Sequence, residues 1–166
     1  MRRRTAALML LLIASLGGCA ALSSTEAPLL TIQNEDDQTY HLSVYVLSDV
    51  DDPGEVRFRA TSEDGERRTY DVTGLRESAP LRNVTLDEGA ARDDRVTIPA
   101  AGGSAASTTS AGINIWEPGY ATVYVVESKS DASLVGVHVV TCDGPNQEHS
   151  IAIAGGAIGD RSADCS

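Results

Sequence analysis

The stretch EPGYATVYVVESKSDASLVGVHVVT, residues 117–141, decides the fold class of this chain. It contains two apolar runs, at 121–127 and 134–141, which are rich in β-branched residues and are separated by a short polar segment. Such residues fit a pleated sheet surface, and runs of this length are typical of strands rather than helices. The stretch therefore predicts the two longest β-strands of the molecule.

The same strand signal recurs on both sides of this stretch, whereas no window has the period of an amphipathic helix. Residues 40–46 carry apolar side chains at every second position. Residues 150–154 are predicted to complete a hairpin with the strand at 134–141, across the turn at 143–146. The glycine-rich run at 155–159 is predicted to be the turning exit of the last strand. The remaining strand candidates are 29–33, 56–60, 68–72, 83–86, 95–98 and 112–115.

Eight or nine short strands separated by turn residues predict an all-β fold, with a single β-sandwich as the first choice and a barrel as the second. The predicted domain covers residues 29–166, a length that suffices for one hydrophobic core.

The segment Glu117-Pro118-Gly119-Tyr120 leads directly into the strand at 121–127. It resembles the strand opening of many immunoglobulin-like domains, in which a tyrosine at a strand corner bonds back to the backbone and fixes a Greek-key crossing. Thr122 stands where antibody domains place a cysteine, so the resemblance covers the sandwich class and not the antibody family. We expect the neighbouring Trp116 to be a core aromatic under this corner rather than a ligand platform.

The N-terminal segment has the features of a secretory signal at residues 1–18. Three arginines precede an apolar run at 6–16 that is too short to span a membrane, since about 20 residues are needed. The ending Leu16-Gly17-Gly18-Cys19 resembles the lipobox of prokaryotic lipoproteins. The resemblance implies cleavage before Cys19 and lipidation of its thiol. An ordinary cleaved signal peptide is the alternative, and Sec and twin-arginine export both remain open.

Residues 19–28 are small and polar and end in Pro28, as expected of a lipidated cysteine followed by a flexible tether. Two acyl chains anchor a protein stably. The membrane is therefore the first predicted partner, through Cys19, and the predicted location is the extracellular face of the cytoplasmic membrane.

The charge of the chain is strongly negative. Removal of residues 1–18 leaves 10 basic against 24 acidic residues, a net charge of −14, and Lys129 is the only lysine. This composition resembles that of secreted haloarchaeal proteins, whose charge repulsion is screened by high salt; an acidic actinobacterial lipoprotein is the alternative. The sign of the charge argues against nucleic acid as a partner, because nucleic-acid binding requires a basic surface.

Two cysteines, Cys142 and Cys165, follow the predicted lipidation site. In an exported domain, two remaining cysteines predict a disulfide. A disulfide that closes a loop of this size adds on the order of 3 kcal/mol to the free energy of unfolding. The alternative is a cupredoxin-like copper site formed by His41, Cys142 and His149. Both methionines lie in the predicted signal peptide, so the mature chain has none for an axial ligand. The copper site also requires a free thiolate at Cys142.

No motif for nucleophilic, metal-dependent or phosphoryl-transfer catalysis is present, so we predict a non-enzymatic protein without a cofactor. Asn83-Val84-Thr85 is a sequon for N-glycosylation of Asn83. The predicted function is that of a lipid-anchored, cell-surface module with a binding or structural role toward an unknown envelope protein or glycan. The alternatives are the copper protein and an accessory subunit of a membrane complex.

Overall fold

The computed structural model describes residues 27–48, 50, 52–78, 80–87, 91–142, 144 and 146–166. The predicted signal peptide, Cys19 and most of the tether lie outside the described residues. Within this part the chain forms eleven strands, one short α-helix and a 3-10 turn at Pro53–Glu55. In chain order the elements are β1 (Leu29–Asn34), β2 (Tyr40–Leu47), β3 (Arg57–Thr61), β4 (Arg67–Asp71), α1 (Val72–Glu77), β5 (Arg82–Leu86), β6 (Ala91–Ile98), β7 (Ser107–Gly112), β8 (Ala121–Ser128), β9 (Leu134–Thr141), β10 (Gln147–Ala154) and β11 (Ala157–Cys165).

The strands form three sheets. We call β11-β10-β1-β7 the outer sheet, β6-β2-β8-β9 the central sheet and β4-β3-β5 the small sheet. All neighbours are antiparallel except β1 and β10, which run parallel. The all-β class and the sandwich expected from the sequence are confirmed.

The central sheet is buried on both faces, so the molecule has three layers rather than the two expected. One face of the central sheet, with Tyr40 and Tyr124, packs against Ile151 of the outer sheet. The opposite face, with Val123, packs against Phe58 of the small sheet. Every residue of β8 is buried as a result. This explains why β2 and β8, the inner strands of the central sheet, are mostly apolar.

The helix α1 fills the end of the small-sheet layer. The carboxylate of Asp71 caps it by accepting a hydrogen bond from the Gly74 N–H at 2.6 Å. Val72 and Leu75 are its buried residues. Sequence periodicity did not predict it, because six residues are too few to show a helical repeat.

The predicted hairpin between 134–141 and 150–154 is wrong. β9 belongs to the central sheet and β10 to the outer sheet, where β10 pairs with β1 and β11. The chain between them crosses from one layer to the other. His149, Ile151 and Ile153 of β10 are buried and complete the core on the side opposite β8, which requires β10 to lie in the facing sheet.

The glycine-rich run after β10 is not the exit of the last strand but a tight turn into β11. Gly155 and Gly156 have φ values of 61° and 73°, as required in a two-residue hairpin turn. The carboxylate of Asp36 accepts hydrogen bonds from both glycine N–H groups, at 2.7 and 2.9 Å, and from the Tyr40 hydroxyl at 2.7 Å. Asp36 thereby fastens this turn to the loop between β1 and β2.

No helix in the described ranges is long and apolar enough to cross a lipid bilayer.

Candidate functional site

The two cysteines form a disulfide in the structure, as predicted from the sequence. Cys142 directly follows β9 and Cys165 ends β11, and their Cα atoms lie 5.7 Å apart. Gln147, the first residue of β10, is paired with Cys165 in the β10–β11 ladder. The disulfide therefore closes the segment in which the chain crosses from the central sheet to the outer sheet.

The disulfide contradicts the alternative copper site, because it removes the thiolate of Cys142. His149 is 1% exposed and lies inside the core, whereas His41 is half-buried on β2 and contacts the Thr97 hydroxyl through Nδ1 at 3.4 Å. In the part of the chain that the structure describes, no three His, Cys, Asp or Glu side chains are grouped to hold a metal ion. The structure does not bring the three proposed ligands together as a site.

His149 instead belongs to a buried polar network that begins at Gln147. The amide Nε2 of Gln147 donates to the carbonyls of Cys142 and Gly144, at 3.2 Å each. This fixes its Oε1 as an acceptor, so the His149 Nε2, 3.1 Å away, must be the donor. The unprotonated Nδ1 of His149 then accepts a hydrogen bond from the hydroxyl of Tyr124. The network thus selects one neutral tautomer of His149.

Burial determines the protonation states of this network. Desolvation, with a smaller contribution from His138, lowers the pKa of His149 to about 4. Desolvation also raises the pKa of the Tyr124 hydroxyl well above its ordinary value. Both side chains are therefore neutral at neutral pH. Since Tyr124 is 0% exposed, neither group can reach a substrate in solution.

His138 lies beside the network, opposite Tyr124 in the β8–β9 ladder. The two rings stack with their centroids 6.1 Å apart. Burial, followed by the charges of Arg161 and Arg76, lowers the pKa of His138 to about 4. Its buried Nε2 has no hydrogen-bond partner in the described structure, so His138 is neutral and is positioned mainly by stacking.

The corner at Trp116 and Tyr120 is held by hydrogen bonds to the backbone of Tyr120. Trp116 is 7% exposed and belongs to the core between the central and outer sheets. Its Nε1 donates to the carbonyl of Tyr120 at 3.2 Å. The Tyr120 N–H closes a turn on the carbonyl of Glu117 at 3.0 Å, with Gly119 at a φ of 86°. The prediction that Trp116 is a core aromatic is confirmed.

The sequon residue Asn83 lies on the surface of β5. It is exposed and has a φ of 52°, in the left-handed region that asparagine adopts more readily than most residues. Its N–H donates to the carbonyl of Ala132 at 3.0 Å, so its backbone is tied to the loop before β9. Val84 of the sequon is buried and Thr85 is exposed.

The structure also forms a cleft that sequence reasoning missed, with a volume of about 240 Å³. Its floor is the start of β9, residues 134–137. One wall is α1 with Leu75 and Arg76, and the other is β11 with Ile158 and Arg161. We call this the β9-edge cleft, because β9 is the last strand of the central sheet at this side.

The β9-edge cleft is apolar with a positive rim. No acidic residue of the described chain lines it, although the sequence contains 24 Asp and Glu. Other arginines are paired: Arg57 with Asp71, Arg59 with Asp87 and Arg68 with Asp64 and Glu66. The side chains of Arg76 and Arg161, in contrast, have no ion pair or hydrogen bond among the residues that the structure describes. Only the folded chain brings them together, since they are distant in sequence.

A family model described as halobacterial Ig domain protein matches this sequence over residues 1–166. No curated protein matches it.

Proposed function

This chain belongs to the halobacterial Ig domain protein family, and we propose that it acts as a lipid-anchored β-sandwich module on the cell surface, with a non-enzymatic binding role in the envelope. The observation that carries the proposal is the closed Tyr124–His149–Gln147 network. The side chains of these three residues, which could otherwise act in catalysis or ligand binding, instead form hydrogen bonds inside the fold and connect the central and outer sheets.

The non-enzymatic part of the proposal rests on access. A catalytic acid, base or nucleophile must come within hydrogen-bond reach of its substrate. Tyr124 and His149 are buried, and the sulfur of Cys142 is bonded to Cys165. A partner can therefore reach only the surface of the domain. The β9-edge cleft is a concave part of that surface, and its two arginines have no ion pair among the described residues.

The anchoring part rests on the sequence before residue 27. The lipobox-like ending at Cys19 supplies the attachment, since the acidic domain is repelled by anionic headgroups. The ten residues from Cys19 to the start of β1 at Leu29 reach at most about 35 Å when fully extended. Such a tether holds the domain close to the outer face of the cytoplasmic membrane. The partner is then another envelope component, a protein or a glycan.

Glycosylation of Asn83 belongs to the same proposal. Its side chain is exposed, and an occupied sequon requires a surface position. A glycan there would stand on the small sheet, outside the residues that line the β9-edge cleft.

The test is the intact mass of the full chain extracted from washed membranes of a halophilic host. A chain that begins at Cys19 with a lipid increment supports the anchor, and a glycan increment lost in Asn83→Gln supports glycosylation. Cys19→Ser is the matched control and should release the protein from the membrane fraction. An unlipidated chain that remains soluble would overturn the anchored function. Purification at a fixed ratio with a membrane complex would identify an accessory subunit instead.

A further inference from the structure

The free edge of β9 is the starting point for a more specific inference, which rests on the proposed binding role. β9 pairs with β8 on one side. On the other side its ladder is closed only at the start, where the Leu134 N–H donates to the carbonyl of Leu81 at 2.7 Å. In the described chain no strand pairs with the outer side of residues 135–141. Their backbone groups form an open edge.

This edge lacks the charged residues and prolines that usually prevent pairing with another chain. Exposed edges are normally blocked by charged side chains, proline or a covering segment. β9 has the sequence LVGVHVVT, without a charged residue or a proline, in a protein of net charge −11 before processing. α1 and β11 flank its first half as the walls of the β9-edge cleft, and a register irregularity lies near Gly136. No described strand pairs with the outer side of residues 138–141. The edge is therefore suited to accept an extended strand.

The cleft beside this edge restricts what such a strand can contain. A volume of about 240 Å³ lies below the range of drug-sized ligand pockets, which is about 300–1,000 Å³. It suits one or two apolar side chains of a peptide, packed against Leu75 and Ile158. The rim carries Arg76 and Arg161, whose guanidinium groups bind carboxylates in a bidentate geometry.

We propose that the β9-edge cleft binds an extended acidic segment of a partner polypeptide. The segment pairs with the free edge of β9, inserts an apolar side chain into the cleft and presents its carboxylates to Arg76 and Arg161. Acidic residues outnumber basic ones on this protein, so two guanidinium groups beside one apolar cleft give an acidic partner a favourable point of attachment. Direct contacts between guanidinium and carboxylate groups persist in high salt. The same salt screens the longer-range repulsion between the acidic segment and the rest of the acidic surface.

The test uses the full chain in mild detergent and molar KCl, with a fluorescein-labelled octapeptide of alternating aspartate and valine as the probe. We expect saturable binding by fluorescence anisotropy and protection of the 135–141 amides in hydrogen exchange. The double variant Arg76→Gln/Arg161→Gln should weaken binding about fivefold or more. Arg59→Gln, which removes an exposed arginine outside the cleft, should leave binding unchanged.

Three results would overturn the inference. The first is equal binding of a lysine–valine octapeptide, or of the aspartate–valine peptide with a backbone N-methylated at alternate residues. The second is protection that maps away from β9 or binding that is unchanged in the double arginine variant. The third is protection of 135–141 that rises with protein concentration without peptide, which would identify a second copy as the occupant. The lipid increment at Cys19, measured on the same preparation, reports separately on the anchored function.

Discussion

The hydroxyl of Tyr124 and the Nδ1 atom of His149 form a hydrogen bond between the central sheet and the outer sheet. The two residues are 25 positions apart in the chain, and both are inside the core. Their bond, continued through Gln147 to the carbonyls of Cys142 and Gly144, orders the segment in which the chain changes layers. Four predictions concern this segment and the turn that is fastened by Asp36.

Removal of the Tyr124 hydroxyl should destabilise the fold. In Tyr124→Phe the buried Nδ1 of His149 loses its donor, and an unsatisfied buried acceptor costs about 1–3 kcal/mol. The measurement is chemical denaturation followed by circular dichroism. Tyr70→Phe, on a partly exposed tyrosine, is the matched control and should change stability by less than about 0.5 kcal/mol. Equal effects of the two variants would contradict the role given to this bond.

The stability of the protein should fall with acidification between about pH 6.5 and pH 4. The pKa of His149 and that of His138 are lowered to about 4 in the folded chain, so the unfolded state binds more protons in this window. Stability is fully present above the unfolded pKa and is lost as the pH falls toward the folded value. For each histidine, a fall in pKa from 6.5 to about 4 corresponds to about 3.4 kcal/mol, so the two together set an upper bound of about 7 kcal/mol on the loss. His138 is only half-buried and contributes less than His149, because solvent screens its charge in part.

The comparison for this effect is a pH series of denaturation curves on the wild type and on His149→Gln. The variant lacks one of the two buried histidines and should show a shallower slope in the same window. A slope that is the same in both proteins would assign the acid sensitivity to other groups.

Loss of the disulfide should destabilise the segment between β9 and β10, where the chain crosses between sheets, without unfolding the protein. Cys142 and Cys165 are 23 residues apart, and closing such a loop contributes on the order of 3 kcal/mol. Cys142→Ser/Cys165→Ser should therefore unfold at a lower denaturant concentration, with increased hydrogen exchange in β11. Reduction of the wild type should reproduce the effect. If reduction leaves the unfolding midpoint unchanged, the disulfide does not stabilise the native chain.

Neutralisation of Asp36 should free the turn between β10 and β11. Its carboxylate accepts three hydrogen bonds, from Tyr40, Gly155 and Gly156, and the bond from Tyr40 is the main cause of its lowered pKa. Asp36→Asn keeps only one acceptor oxygen and should cost about 1–2 kcal/mol. The wild-type contribution is present above the unfolded pKa of Asp36 and is lost as the pH falls through its lower folded pKa. Asp37→Asn, on the exposed neighbour, is the control for the change in net charge.

The long strands show how far the sequence predicted the fold. Residues 121–127 and 134–141 form β8 and β9 almost as expected, because β-branched runs between turn residues have few other ways to satisfy their backbone. β11 was missed, because Ala157–Cys165 is mostly exposed and carries little hydrophobic signal. The strand candidate at 112–115 is wrong: the strand there is β7 and ends at Gly112, and Ile113, although buried, lies in the turn after it.

Of the candidate site features, some could be predicted from the sequence and others could not. The disulfide of Cys142 and Cys165 could be predicted from their number and compartment. The third layer, which the small sheet adds to the sandwich, could not be predicted. When β-branched residues dominate, a strand with two buried faces has nearly the same sequence pattern as a strand with one buried face. The hydrogen-bond partners of His149 could not be predicted either, because sequence periodicity shows that a side chain faces inward but not which side chain it contacts.

The sequence by itself determined the all-β class, the strands with strong apolar patterns and the disulfide, because these depend on local residue type or on a count. Only the tertiary structure decided that β9 and β10 lie in different sheets, that Tyr124 donates a hydrogen bond to His149, and that Arg76 and Arg161 border one cleft. Each of these depends on contacts between residues far apart in the chain. Such contacts are selected by the packing of whole layers, in which every strand must find both an edge partner and a facing partner.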